Sequence, residues 1–491
     1  MHRLCRHAAT AFAKHQRAFD ALASLHRAGT TPGSDFYLSI LLCLLSCPLS
    51  CESNGQRNYA NWGIIDMLKS HLLLAAALGS LFGSAAHAQA VYVTADRLID
   101  PVSGRVVEGP ALLIEDGVVT QRATAATLSV PADATVIDLS GKTILPGLID
   151  MHVHLDSSAT KGRGWSGLGL QQERSIIWAV TNAERTLRAG FTTVRNTGSR
   201  GYGMVALRDA ISEGEVLGPR MFVAGPPVGI LGGHCSDSNL LPAEFEVEGP
   251  GVATGPWEMR EKVRRNIKYG VDLIKTCSTG GVFSKGTTLG APQGTVEELT
   301  ALVEESHARG LKVASHAHGT VGIKNAIRAG VDTIDHASFL DDEAIRMAKR
   351  KGVIFVPDIY NTEYTLAEGE RLGIREESLK KEREVGTIQR ESFTKAVRAG
   401  AKVAFGTDAA IFPHGDNANQ FSRMVRFGMT PMQAIQAATV VAAEGLGKQG
   451  ALGCLDAGCH ADLIAVDADP LVDVSALENV SAVVKAGALI E

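Results

Sequence analysis

The strongest constraint on the fold is a unit that recurs from about residue 187. A helix ends at glycine, a short apolar run follows, and a polar residue closes it. The unit reads LRAGFTTVRN (187–196), YGVDLIKT (269–276), ARGLKVASH (308–316), RAGVDTIDH (328–336), KGVIFVPD (351–358) and RAGAKVAFGTD (398–408). Glycine stops the helix because it accepts the left-handed conformation just past the cap. The apolar runs do not alternate, so each is a strand covered on both faces. From the glycine it is five residues to Lys275, six to Asn196, His316, His336 and Asp358, and eight to Asp408. The polar residue therefore sits at the C-terminal end of its strand. ILPGLIDMHVHL (144–155) and GPRMFVAG (218–225) bring the strands to eight. Helical spacing covers 297–309, where Thr295 and Glu298 form a capping box, and also 320–329, 377–398 and 431–444. Eight strand–helix units predict an α/β fold, a (β/α)8 TIM barrel over 144–446, with its active site at the strand C-termini.

The two ends of the chain have another texture. Residues 89–143 hold short alternating strands (VYVTADRLID, ALLIEDGVVTQ, TVIDLSGK) split by glycine turns, and 447–491 resume that style (ADLIAVDAD, VSAVVKAGALIE). The two segments are expected to meet as one small β-sandwich domain beside the barrel. The first 88 residues belong to neither unit. Lys69, an apolar run over 72–82 and Ala86-His87-Ala88 before Gln89 have the three regions of a signal peptide over 67–88. The run is too short to span a bilayer, and no cysteine follows to carry a lipid. Met67 then reads as the true start and 1–66 as an upstream over-call. The other candidate signal, FYLSILLCLLSC (36–47), is followed by Pro48 and lacks a small-x-small exit. A periplasmic or secreted protein is expected, and disulfides persist there.

Composition narrows the function classes. Of 491 residues, 45% are hydrophobic and 21% charged, which excludes a disordered chain. The net charge of -5 gives no reason to expect a nucleic-acid partner. Residues 1–88 hold seven Lys/Arg and four Asp/Glu, leaving 41 basic and 49 acidic residues, net -8, in the mature part. Its cysteines are Cys235, Cys277, Cys454 and Cys459. Cys454 and Cys459 flank LDAG, a hairpin turn, and read either as a disulfide or as two small buried residues.

Nine histidines remain: His152, His154, His234, His307, His316, His318, His336, His414 and His460. His152, His154, His316 and His336 end strands, and His318 follows one. His152 and His154, two apart on a strand, point the same way, so both imidazoles can bind one cation. Imidazole suits zinc. A lone histidine would read as a satisfied core residue. Five histidines, a lysine and an aspartate at one barrel face do not. Lys275 lies in the apolar run VDLIKTC, and a buried lysine is costly unless paired or neutralised. A carbamate formed with CO2 resolves this by giving a carboxylate that bridges two cations. The other reading is a lysine reaching out of the barrel mouth toward substrate. Asp408 is either a ligand or the N-cap of the next helix.

On these residues the chain resembles the metal-dependent amidohydrolase superfamily. The matching features are PGLIDMHVH (146–154), Lys275 after strand four, His316 after five, His336 after six and Asp408 after eight. The resemblance implies two divalent metal ions, zinc foremost. His152, His154 and Asp408 would hold one, His316 and His336 the other, with carbamylated Lys275 bridging them. IKTCSTGGVFS (274–284), VASHAHG (313–319), DTIDHASFLD (332–341) and GGHC (232–235) resemble the imidazolonepropionase-like, Xaa-Pro dipeptidase-like subgroup, which includes ochratoxin A amidohydrolases. Its members cleave an amide next to a free carboxylate. Two departures stand out: Asn196 where an Asp is common, and Gly294 in APQGTVEEL where an aromatic is often found. The second leaves substrate recognition open.

The chemistry implied is amide hydrolysis of a dipeptide or N-acyl amino acid. Paired cations about 3.5–4 Å apart acidify water, and Asp408 relays its proton to the leaving amine. His318 and His234 are the candidates for the oxyanion or the substrate carboxylate, or else order a loop by a hydrogen bond. Lys285 and Arg195 are weaker carboxylate candidates that read rather as a solvated surface lysine and a structural arginine. Tyr360 and Tyr364, after strand seven, either line the pocket or merely pack. His307 and His460 receive no site role, and His414 is left open. The alternatives are a cyclic-amide hydrolase or deaminase on the same fold, and a non-catalytic binding barrel. The partners expected are a small-molecule or dipeptide substrate, with no nucleic acid and no membrane after signal removal. The resemblance also raises a homo-oligomer.

Overall fold

A computed structural model describes residues 89–491 apart from 162–164, 236–240 and 246–247. Residues 1–66 and the signal peptide 67–88 lie outside the described residues. The strands run in order: β1 (Val91–Asp100), β2 (Arg105–Glu108), β3 (Pro110–Glu115), β4 (Val118–Thr124), β5 (Thr135–Pro146), β6 (Leu148–Val153), β7 (Phe191–Asn196), β8 (Arg220–Val223), β9 (Leu273–Cys277), β10 (Lys312–Ala317), β11 (Thr333–His336), β12 (Ile354–Val356), β13 (Leu463–Val466), β14 (Val480–Lys485) and β15 (Ala488–Leu489). No helix among the described residues is long and apolar enough to cross a membrane.

The two chain ends share one sheet, ordered β15-β14-β13-β5-β1-β3-β4 with β2 on β1. The join is β5 against β13, where Leu463 opposes Pro146 and Val466 opposes Thr143. Alternating apolar residues from both ends, among them Val93, Leu112, Ile114, Ile137, Leu463 and Val484, form a single core. The β3–β4 hairpin turns at Asp116-Gly117, with φ of 51° and 74°. Asp-Gly suits this turn because both central residues need positive φ. Cys454 and Cys459, at the edge of this domain, form a disulfide with Cα atoms 5.9 Å apart.

The barrel strands are parallel, β6-β7-β8 in one arc and β9-β10-β11-β12 in another. Backbone bonds link the arcs on one side, from Asp272 to the Val223 carbonyl (2.8 Å) and from Val228 to the Lys275 carbonyl (2.8 Å). On the other side the expected eighth strand is irregular. Ala404 still donates to Phe355 on β12 (2.9 Å), Met151 on β6 donates to Phe405 (2.9 Å), and Asp408 donates to the His152 carbonyl (2.8 Å). Gly406 explains the irregularity. A Cβ there would lie 2.3 Å from Val356 and 3.2 Å from His152, so the segment is pressed against both neighbours.

The helices follow their sequence signals. Thr295 and Glu298 cap Val296–His307 as a capping box. Thr320–Ala329 stops at Gly330, φ 99°, and Glu376–Arg398 is one long helix. The expected helix over 431–444 is instead two, Pro431–Ala437 and Val440–Gly445. The carbonyls of Ala437 and Ala438 accept from Phe405 and Ile149 of the barrel (2.9 and 2.7 Å) instead of continuing the helix.

Asp150 fastens β6 to the irregular segment. Fully buried, it accepts from Thr407 Oγ1 (2.6 Å), Asn417 Nδ2 (2.8 Å) and the His152 amide (3.0 Å). Asp150→Ala orphans three buried donors and is expected to cost about 2–4 kcal/mol in urea unfolding. A loss below about 1 kcal/mol would show that the three donors find other partners.

Candidate metal centre

The barrel brings the six expected ligands to one end of the molecule. His152, His154, Lys275, His316, His336 and Asp408 line a cavity of about 230 Å³, together with His234 and His318. The His152 ring lies 5.4 Å from His154 and 5.0 Å from His336, and His316 lies 4.4 Å from His336. Asp408 Oδ1 is 3.5 Å from His152 Nε2 and 3.4 Å from His154 Nε2. Ligating atoms of His152, His336 and Asp408 fall within 4.8 Å of one another, as do those of His316, His318 and His336. His336 thus joins the two groups, and His318 stands closer to the donors than its expected substrate-side role implied. His336 and Asp408 both adopt left-handed backbone, φ 66° and 57°. Such strain in non-glycine residues collects at functional sites.

Burial makes the imidazoles ready donors. It pushes His152, His316 and His318 well below the usual histidine range, helped by neighbouring Lys275 and histidine charges. It also brings His154 to about 4 and His234 to about 3. His336 goes the other way: burial opposes its charge, but the Asp358 carboxylate 3.1 Å from Nδ1 and the Asp408 carboxylate together outweigh it and raise the pKa. Neutral imidazoles keep a lone pair free for a metal. His152 Nδ1 and His316 Nε2 are buried with no hydrogen-bond partner, an arrangement that is costly unless a ligand meets it. Several neutral imidazoles with a carboxylate suit a divalent ion of the zinc type. The residues present fit the metals that the resemblance implies.

Two buried acids near this centre were missed as site residues. Asp335 forms an ion pair with the Lys275 amine, accepts from Arg195 Nη2 (2.8 Å) and lies 3.7 Å from His152 Nδ1. Burial lowers the Lys275 pKa while Asp335 raises it, burial prevailing. Asp358 holds His336 and is itself held by Asn361 Nδ2 (2.8 Å) and Gln389 Nε2 (2.7 Å). The available signal was a charge inside an apolar run (TIDH) and at the end of one (FVPD). Arg195 does not face substrate. Its guanidinium is spent on the Met151 carbonyl, Thr333 Oγ1 and Asp335.

His234 enters the cavity on a loop and stacks on His316 at 4.0 Å. Ser284 Oγ lies 2.9 Å from its Nδ1, and its amide donates to Gln293 (2.8 Å). A Cys235–Cys277 disulfide, a pairing the sequence reading did not make, ties this loop to the end of β9. An outer compartment of about 510 Å³ shares His154, His234, Phe283 and Asp408 and adds Arg200, Lys285, Arg375 and Trp178. Lys285 thus stays a candidate for a substrate carboxylate. Tyr360 and Tyr364 pack on Phe412 instead of lining the cavity. His414 is buried against the backbone of His154 and Ser157, outside both compartments. His307 pairs with Asp332 at the surface, and His460 bridges to Val118 in the sheet domain. Asn196 pins the Leu155 amide (2.8 Å) below the site. Gly294 has φ 72°, a conformation that strains an aromatic.

Residues 143–490 match the amidohydrolase family. The chain belongs to that family. This amidohydrolase is 31% identical over 417 residues to the ochratoxinase of Aspergillus niger, covering 79% of this chain and 83% of the relative. It is 26% identical over 405 residues to an imidazolonepropionase of Chromobacterium violaceum, covering 75% and 88%. A Xaa-Pro dipeptidase solved with methionine in its active site superposes with a TM-score of 0.78 at 38% identity, over 82% of this chain and all of that one. The solved A. niger ochratoxinase gives 0.74 at 30% identity, over 82% and 96%. The TIM barrel with an appended β domain is the fold of these neighbours.

Proposed function

We propose that this amidohydrolase uses two divalent ions, zinc foremost, to hydrolyse an amide next to a free carboxylate, in a dipeptide or an N-acyl amino acid such as ochratoxin A. The observation that carries the reading is the buried cavity in which neutral imidazoles, Lys275 and Asp408 converge. His152, His154 and Asp408 would hold one ion and His316 and His336 the other, with carbamylated Lys275 between them. Bound there, the pair supplies Lewis acidity and an acidified water.

The chain's own groups do the rest. Asp408, at the cavity rim between two imidazoles, accepts the water proton and returns it to the departing nitrogen. His318 is neutral, and its Nδ1 faces the Ser338 hydroxyl at 2.7 Å. With Nδ1 accepting, the proton sits on Nε2, a donor for the developing oxyanion. His234 offers a second donor from its loop. Arg200, Lys285 and Arg375 in the outer compartment suit the substrate carboxylate. Secretion or periplasmic location belongs to the same reading, resting on residues 67–88 and favourable to both disulfides.

The test is a screen of metal-loaded protein on Xaa-Pro and Xaa-Arg dipeptides, N-acyl-aromatic amino acids and cyclic imides. Amides bearing a free carboxylate are expected to turn over, and blocking that carboxylate as its amide should cost at least about 30-fold in kcat/KM. Turnover of cyclic imides alone would replace this reading with a cyclic-amide hydrolase.

A further inference from the structure

The wall of the inner cavity opposite the imidazoles comes from the helix Glu376–Arg398. Glu382, Val385 and Gln389, at positions i, i+3 and i+7, form one stripe facing the cavity. The helix comes this close because residue 386 is glycine; a Cβ there would lie 2.5 Å from Thr362 Cγ2. Gln389 is committed to Asp358. Glu382 is not committed in that way. It is 3% exposed, and its one hydrogen bond among the described residues comes from Thr362 Oγ1 at 2.6 Å. No lysine or arginine among the described residues pairs with it. The adjacent Lys381 reaches away to the Ser284 carbonyl and Glu377. A buried carboxylate with one hydrogen bond and no counter-ion is costly unless a cation arrives.

We propose that Glu382 is the specificity residue of the inner cavity, receiving an organic cation of the substrate, an ammonium or guanidinium, on its free oxygen. The assignment rests on amide hydrolysis at this site and adds the class of acyl group preferred, which is a cationic one over a neutral N-acyl group such as that of ochratoxin A. The electrostatics agree with the geometry. Burial pushes the Glu382 carboxyl up to about 7; Asp358 adds to this, while the Thr362 hydroxyl, His336 and Arg390 oppose it. Unfolded, the group titrates near 4.3. Between about 4.3 and 7 the folded state holds a proton that the unfolded chain has lost, so Glu382 costs stability as pH rises through that window, in full above it.

The test compares wild type with Glu382→Gln in the metal-loaded enzyme on Ala-Phe, N-acetyl-Ala-Phe and N-acetyl-Lys-Phe. These offer an α-ammonium, no cation and a side-chain ammonium. Glu382→Gln is expected to lower kcat/KM by at least about 30-fold for whichever cationic substrate uses the subsite. The neutral one should change by less than about threefold, and the substrate affected identifies the source of the cation. Calorimetric binding of L-arginine should weaken at least about tenfold, which reads the contact without turnover. The variant should also melt higher than wild type at pH 8, with a smaller gain at pH 5. A parallel loss on all three substrates with a lowered melting temperature marks a structural residue and overturns the assignment. So do unchanged kinetics and binding. If wild type cleaves none of the three, the same comparison is made on the cationic and neutral substrates that the wider screen turns over. Hydrolysis fails as a reading only if that whole screen is negative, while arginine binding still decides on Glu382.

Discussion

Asp408→Asn is expected to lower kcat by at least about 10³-fold while leaving the fold and the bound metal in place. The substitution is chosen because asparagine keeps what the structure asks of this position other than basicity. Residue 408 has φ 57°, and asparagine tolerates the left-handed region as aspartate does. Its amide still donates to the His152 carbonyl (2.8 Å), and an oxygen is still offered to Asn361 Nδ2, 3.4 Å away. The side-chain carbonyl can still reach a cation beside His152 and His154. On the proposed mechanism, what would be lost is the ability to take a proton from water and return it to the leaving nitrogen. Metal content by elemental analysis, melting temperature and kcat on the best substrate of the screen separate these roles. A variant with both metals and near wild-type kcat would assign the proton relay elsewhere. A variant that loses metal would make Asp408 first of all a ligand.

The same residue shows why part of this site could be read from the sequence and part could not. A barrel strand imposes a fixed count from the glycine that ends one helix to the residue at the mouth. His316 and His336 therefore announced their positions by spacing, and His152 and His154 by their separation of two. Lys275 falls one residue short of that count and lies in the middle of β9 opposite Ala314, two residues below the level of His316, instead of at the strand's C-terminal end. Asp408 was found too, but the chain leading to it is no regular strand, because Gly406 presses it against Val356 and His152. That closeness is tertiary and leaves no local pattern. Asp335 was missed for a related reason. It sits beside His336 in a strand, where neighbours are expected on opposite faces, and the left-handed backbone at His336 and Ala337 departs from that alternation. Glu382 and Gln389 lie in a charge-rich helix in which any polar residue reads as solvated. Tertiary packing buries their face, with Gly386 close against Thr362 and the two side chains bonded to Thr362 and Asp358. Cys235 and Cys277 stand 42 residues apart, and spacing cannot decide connectivity among four cysteines.

Lys275→Ala is expected to cut metal content from two ions per chain to at most one and to lower kcat/KM by about 10³-fold or more, since one ion must then do the work of two. Charge balance around the residue gives the reason. Lys275 and Arg195 are two buried cations that share one buried anion, Asp335. Arg195 is fixed there by two further bonds, to Met151 and Thr333, so Asp335 remains paired without the lysine. The lysine amine is the surplus charge, and burial already lowers its pKa, which raises the fraction of neutral amine able to react with CO2. As a carbamate it becomes an anion on the wall that two divalent ions would share. Metal-stripped wild type is therefore expected to recover both ions in bicarbonate-containing buffer and at most one in CO2-free buffer, whereas the alanine variant should ignore bicarbonate. The competing account keeps an ammonium on Asp335 and at most one ion in the cavity. It predicts that wild type binds that one ion with or without bicarbonate, and that Lys275→Ala leaves the stoichiometry unchanged. Elemental analysis after desalting distinguishes the two before any substrate is known, because it depends on the cavity's charge and not on the amide it was built to cleave.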